Sequence, residues 1–285
     1  MSAIVRLSSA LDSVVADLAS LVRAMPVHYS SNQAGEFIIL APAYRWGERS
    51  AEQQHQHLQI VRRYKIISEL LLALLIDAPK SLKREFEQGD KRFTTWLELG
   101  SNWSISPDKE TNERALREST EGLRSVVKVL AAGPQDQLIL IPDTNSLLAE
   151  PDPTAYRAIS KGAGFDFLLL PTVLKELDEL KMLHRNPDVR DKAQKVITRI
   201  KGWRIQGPLL EGVVVDKTIR VRAIHDEPNM TNSLSWLDAH SADDRIVAAT
   251  LHVQSILPSA RVVLVTGDIN LQNKSDAALI EVAEL

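Results

Sequence analysis

Carboxylates in the second half of the chain stand where a short apolar run ends or a helical pattern begins. Asp143 closes "LILIPD". Glu176 lies one turn into "TVLKELDELK", just after "FDFLLLP". Asp243 and Asp244 open "SADDRIVAAT", and Asp268 follows the apolar run in "VVLVTGDIN". A charge at the end of a buried strand must be paired, hydrogen-bonded or bound to a metal. Clustered carboxylates repel one another and need a counter-ion. Hard oxygen ligands suit Mg²⁺ or Mn²⁺, and such ions activate water and stabilise charge on a phosphate in transfer. The chain has no cysteine, and no histidine pair is spaced for a zinc site. The chemistry indicated is phosphodiester hydrolysis at an oxygen-ligated divalent cation. Each residue alone has a plainer role. Asp143 suits a helix cap, Asp243 or Asp244 the positive end of a helix dipole, Asp268 a turn, and Glu176 a solvated helix face beside Asp178 and Glu179. Those plainer roles do not require all of them to fall on one edge of one sheet.

The elements that must position these residues begin after Pro134. Leu138–Ile141, Phe165–Leu170, Gly212–Val215 and Arg261–Val265 read as strands. Thr154–Ser160, Thr172–Leu183, Asp188–Trp203 and Ala242–Leu257 read as helices. Strands alternating with helices predict an α/β fold with a parallel sheet covered on both faces, and ligands sit at the carboxyl ends of such strands. Before this region the patterns are helical: the first 22 or so residues, Ala51–Ile76, a start at "DAPKSLKREF", and a single charged helix over "KETNERALRESTEGLRSVVKVLAA". "SSNQAG" and Asn102–Asp108 read as breaks. These patterns divide the chain into an all-α region, 1–133, and an α/β region, 134–285. The apolar stretch "YKIISELLLALLI" is read first as bundle core. An interface for a second copy or for a regulatory protein is the alternative.

Bulk properties narrow the class. At 285 residues, 44% apolar and 25% charged, the composition is that of a soluble globular protein. A net charge of −3 supplies no global field for nucleic acid, so such binding needs a local basic patch. The absence of cysteine fits a reducing compartment. No signal peptide or membrane-length apolar run is visible, and a cytoplasmic protein without membrane association is expected.

Taken together and in order, "LILIPDTNSLL", "LLLPTVLKELDELK", "SADDRIVAATL" and "VVLVTGDINLQNKS" resemble the acidic motifs of the PIN domain family, over about Gln137–Leu285. The resemblance implies a PIN-like α/β/α sandwich and a metal-dependent nuclease, usually acting on RNA. It implies an acidic set of Asp143, Glu176, Asp243 and Asp268. Asp243 is preferred to Asp244 because the family pattern places an aliphatic residue three positions later, where Ile246 stands; Asp244 stays as an auxiliary ligand. Thr144, Asn145 and Asn270 match the polar residues that accompany the set. Asp143 and Asp243 would hold the principal Mg²⁺ or Mn²⁺, with Glu176 and Asp268 completing the pocket and a 5′-phosphate as product. The span from Glu176 to Asp243, filled by "KTIRVRAIHDEPNMTNSLSWLDAH", is longer than in the smallest toxin members, and its role is open.

Between Lys181 and Arg204, Lys181, Arg185, Lys192, Lys195 and Arg199 outnumber the acids. Lys192, Lys195 and Arg199 share a helical face, so the segment is a candidate phosphate-binding surface for single-stranded RNA or else a solvated face. Trp203 is expected in the core rather than on a base. "NKSD" at Asn273–Asp276 lacks the phosphate loop that would make it a nucleotide reader, and His55 and His57, two apart on a helix, do not share a face. The expected function is a metal-dependent endoribonuclease, of toxin-like, defence or RNA-processing type. A non-catalytic PIN-like module binding RNA or protein, or a DNA-directed nuclease, is the alternative.

Overall fold

A computed structural model describes residues 1–29, 44–100, 105–134 and 136–285; the "SSNQAG" stretch and Asn102–Ser104 of the second break lie outside the described residues. The chain forms two compact units. One is Leu7–Leu130; the other is Ala131–Leu285 together with Met1–Arg6. Among the described residues no helix is long and apolar enough to cross a membrane.

In the first unit, most of α1 (Ala3–Ala24) is followed by a two-stranded antiparallel ribbon of β1 (Val27–Tyr29) and β2 (Tyr44–Trp46). Then come α2 (Ala51–Leu74), α3 (Lys80–Leu97), α4 (Lys109–Ser119) and α5 (Glu121–Leu130). Ser50 and Gln53 form a reciprocal capping box at the start of α2. The apolar half of α2 is core: Tyr64, Ile67, Leu70, Leu71 and Leu74 are buried. His57 accepts from Arg49 Nη1 at Nδ1 and bonds the Leu97 carbonyl through Nε2, so its ring serves to join chain segments and is not paired with His55. The single helix expected over 109–132 is two. At Thr120 the amide bonds the Arg117 carbonyl, three residues back, and the chain starts again as α5. This places Gly122 against Gly89 of α3. A Cβ on Gly89 would lie 2.9 Å from the Leu123 backbone nitrogen, and one on Gly122 3.2 Å from the Gly89 Cα. Two backbones touch there, which only glycine permits. Gly89→Ala is expected to destabilise this unit by about 1–3 kcal/mol, measured by urea unfolding.

The second unit is the α/β part. In chain order it contains β3 (Leu138–Pro142), α6 (Thr144–Ala149), a 3₁₀ turn at Pro153–Tyr156, α7 (Arg157–Ser160), β4 (Phe165–Leu169), α8 (Pro171–Leu183), α9 (Pro187–Gln206), β5 (Val213–Asp216) and β6 (Ile219–Ala223). A 3₁₀ turn at Met230–Asn232, α10 (Ala242–Ile256), β7 (Arg261–Val265), α11 (Ile269–Ala277) and β8 (Glu281–Ala283) complete it. The six strands lie in the order β5-β6-β4-β3-β7-β8. The contacts from β6 to β8 are all parallel, whereas β5 runs antiparallel to β6. Two residues, Lys217 and Thr218, separate β5 from β6, and a connection so short allows only a hairpin. The sheet is therefore largely, not wholly, parallel. Strands β3 and β4 are buried along their whole length, as central strands covered on both faces must be. The strand β6 lies in the long insertion whose role was open, and it supplies the sheet neighbour of β4.

Ion pairs fasten the amino-terminal end and outer edge of the sheet. Asp166 of β4 accepts a two-pronged contact from Arg220, 2.8 Å to each oxygen, with Arg222 at 3.4 Å. On β8, Glu281 takes Arg261 of β7, Arg6 and the chain's amino group. Burial pushes the Glu281 carboxyl up, but Arg261 and the amino group outweigh it and hold it at about 2, below its ordinary 4.5. A carboxylate depressed in this way adds stability above its unfolded pKa and loses it as pH falls through the folded one. Glu281→Gln is accordingly expected to cost about 1–3 kcal/mol at neutral pH. In thermal melts the gap to wild type should close between about pH 4.5 and 2.

Candidate active site

The residues that follow β3 and β7, the first turns of α6, α10 and α11, and the middle and last turn of α8 line a cavity of about 470 Å³. Its carboxylates are Asp143, Glu176, Asp243 and Asp268, the four expected residues, and Glu179. Thr144, Asn145 and His184 add polar groups, and Leu180, Leu183, Ile246 and Leu271 form an apolar wall. Among the described residues no lysine or arginine lines it.

Asp143 both caps a helix and faces this cavity. Its Oδ1 accepts the Ser146 amide of α6 at 2.7 Å, and its Oδ2 accepts the Thr266 hydroxyl at 2.5 Å. At 3% exposure an unbonded carboxylate would be prohibitively costly; two short donors offset that. Asp268 caps α11, accepting the Asn270 and Leu271 amides. Asp243 lies in the first turn of α10, where the helix dipole favours an anion, and accepts the Asn270 side-chain amide at 3.0 Å. Asn270 is thus a support behind Asp243 and is not part of the cavity wall. Glu176 reaches across from α8 to accept the Thr144 hydroxyl. Burial raises its carboxyl above the usual range; the Thr144 bond opposes this, and the charges of Asp243, Asp143 and Glu179 add to the rise.

Asp244 does not line the cavity. It is buried, accepts the Asp238 amide at 2.8 Å, and lies 2.6 Å from the ammonium of Lys274. Burial works against its charge, but Lys274 and the Asp238 amide hold its carboxyl below the ordinary value. The same ammonium is 3.7 Å from Asp243, so Lys274, in the set-aside "NKSD", is a counter-charge behind the acidic pair. The segment after β6 is tied down beside the site: Glu227 accepts from Arg245 at 2.6 Å and from Thr172 at 3.4 Å.

The basic residues of α8 and α9 lie outside the cavity. Lys192, Lys195 and Arg199 are exposed on α9, as is Arg185 in the turn before it; Lys181 is half-buried. Lys195 and Arg199 line a separate groove with Gln194 and Trp203, although Arg199 is paired with Asp152 at 2.9 Å. Trp203 is buried. Two ionisable residues of the cavity were not singled out from the sequence, Glu179 and His184. The signal for Glu179 was its spacing: it stands three residues after Glu176, on the same helix face.

A sequence profile of the family described as PIN domain matches residues 140–285. The chain belongs to the PIN domain family. Proteins of this family are generally nucleases and typically use divalent metals. No curated protein matches the chain.

Among the described residues, no three acidic or histidine side chains converge on one point closely enough to hold an ion as they stand. Asp143, Glu176, Asp243 and Asp268 are instead each turned to a protein donor. By chemistry the donor set nevertheless fits a hard cation: carboxylate, hydroxyl and amide oxygens and no thiolate, with Lys274 outside the lining as the nearby cation that would compete for Asp243. The electrostatic strain is testable without any ligand. A glutamate whose pKa is raised by folding favours the folded state only at acid pH, and its ionised form works against the fold above that range. Glu176→Gln is expected to raise the melting temperature at pH 7, and the gain should vanish as the pH falls through the carboxylate range.

Proposed function

We propose that this protein is an Mg²⁺- or Mn²⁺-dependent endoribonuclease acting on single-stranded RNA at this cavity. One observation carries the reading: carboxylates from four separate segments line one cavity whose lining, among the described residues, has no lysine or arginine. Asp143 and Asp243 are the residues that would hold the principal cation, with Glu176 and Asp268 completing the acidic set and Asp244 auxiliary. When bound, the cation supplies a polarised water and stabilises charge on the phosphate. The chain's own groups do the rest. Thr266 and the Ser146 amide fix the Asp143 carboxylate, Asn270 fixes Asp243, and Thr144 fixes Glu176. Glu176, its carboxyl raised, is suited to accept a proton from water at the cavity. The exposed cations of α9 offer phosphate contacts along the strand. A cytoplasmic setting agrees with the absence of cysteine.

The second reading is a non-catalytic RNA- or protein-binding module, favoured by Lys274, whose ammonium already offsets part of the acidic charge. Cleavage of a labelled single-stranded RNA with Mn²⁺, Mg²⁺ or EDTA separates the two. The nuclease reading expects cleavage that EDTA stops and that Asp143→Asn abolishes, while the asparagine still caps α6 and the protein stays folded. Asn270→Ala should slow cleavage by about 10–100-fold, as loss of a group supporting a metal ligand does. Metal-dependent cleavage retained in full by Asp143→Asn would sink the assignment.

A further inference from the structure

We infer that His184 is a substrate-binding residue of this cavity, donating from Nε2 to a phosphate oxygen of the bound nucleic acid; this rests on the cavity being the proposed nucleic-acid site. Among the described residues that line the cavity, His184 alone can present a ring N–H; the other ionisable groups there are carboxylates. A polyanion entering such a cavity meets repulsion from the carboxylates and a hydrogen-bond donor at this ring.

The ring is held for that task. Its Nδ1 accepts the backbone N–H of Asn186 at 3.2 Å, which leaves the proton of the neutral imidazole on Nε2 as a donor. The turn that carries it is braced from both sides. The His184 carbonyl accepts Arg190 Nη1 at 2.7 Å, and the same guanidinium reaches the Arg185 carbonyl. Asn186 caps α9 through the Asp188 amide, with Pro187 as the first helical residue. The ring is only partly exposed, and it follows Leu183, which is 79% exposed beside the acids. An apolar side chain in that position offers a surface for a base or ribose and leaves the adjoining phosphate to the imidazole.

The test compares wild type, His184→Ala and His184→Gln; the glutamine keeps an N–H donor of similar reach. Binding of a fluorescent single-stranded RNA decamer is read by anisotropy with Ca²⁺, and KM and kcat for cleavage are read with Mn²⁺. Melting temperatures check that the variants are folded. His184→Ala is expected to weaken binding and raise KM by about tenfold, the effect of one hydrogen bond to a charged group, with kcat little changed; His184→Gln should recover most of the loss. The inference is overturned by equal binding in all three, by no recovery in the glutamine variant, by a fall in kcat with KM unmoved, or by no measurable binding to wild type. Binding that depends on His184 in a protein that never cleaves keeps this inference and removes the nuclease reading. Cleavage indifferent to His184 does the reverse.

Discussion

The second unit depends on giving one side chain its hydrogen-bond partners where water scarcely reaches. Asp143 sits at the end of the central strand β3, 3% exposed, between the Thr266 hydroxyl and the Ser146 amide. The first donor comes from the end of β7, the neighbouring strand, and the second from the helix Asp143 itself begins. The register of β3 on β7, Leu138 beside Arg261 through Pro142 beside Val265, brings Thr266 to that point. A slip of one residue would turn every side chain of β3 to the other face and leave the carboxylate without its partner.

The two ends of the sheet treat acids differently. Near the amino ends of the strands, Asp166 is matched by Arg220 and Arg222. Toward the sheet's outer edge, Glu281 is matched by Arg261 and Arg6. At the carboxyl ends, Asp143, Glu176, Asp243, Asp268 and Glu179 share a cavity whose lining, among the described residues, has neither arginine nor lysine. Their charge is met by helix starts, hydroxyls and amides, and by Lys274 behind Asp243 and Asp244. Neutral donors stabilise a carboxylate without cancelling its charge. The cavity therefore keeps a negative field that a divalent cation can use, and Glu176, with burial and neighbouring charges against it, records the cost.

Much of this was legible in the chain. The runs at Leu138, Phe165 and Arg261 are strands because short apolar segments bounded by turn residues fit a doubly covered sheet. "SADDRIVAAT" is a helix start because Ser241 caps it, accepting the Asp244 amide. Other elements were hidden for physical reasons. In "IRVRA" (β6), arginines alternate with apolar residues, and Arg220 and Arg222 look like surface charges until Asp166 stands opposite. The helix α6 has six residues, too few for a period to show. The helix over 109–132 looked continuous because the charge pattern runs on through Thr120, whereas Gly122 has to face Gly89 across a tertiary contact.

The sequence by itself determined the central strands and the capped helix starts at Asp143 and Ser241, since those rest on interactions among residues a few positions apart; the acids to look for came from the family resemblance. Only the tertiary structure decided what the other acids do: Asp244 turns to Lys274, and Glu179 joins Glu176 in the cavity lining. It alone brought His184 to the rim and Thr266, 123 residues away in sequence, onto Asp143. Those outcomes depend on where distant backbones meet, and the energy of a buried charge is set by the atoms around it, whatever their order along the chain.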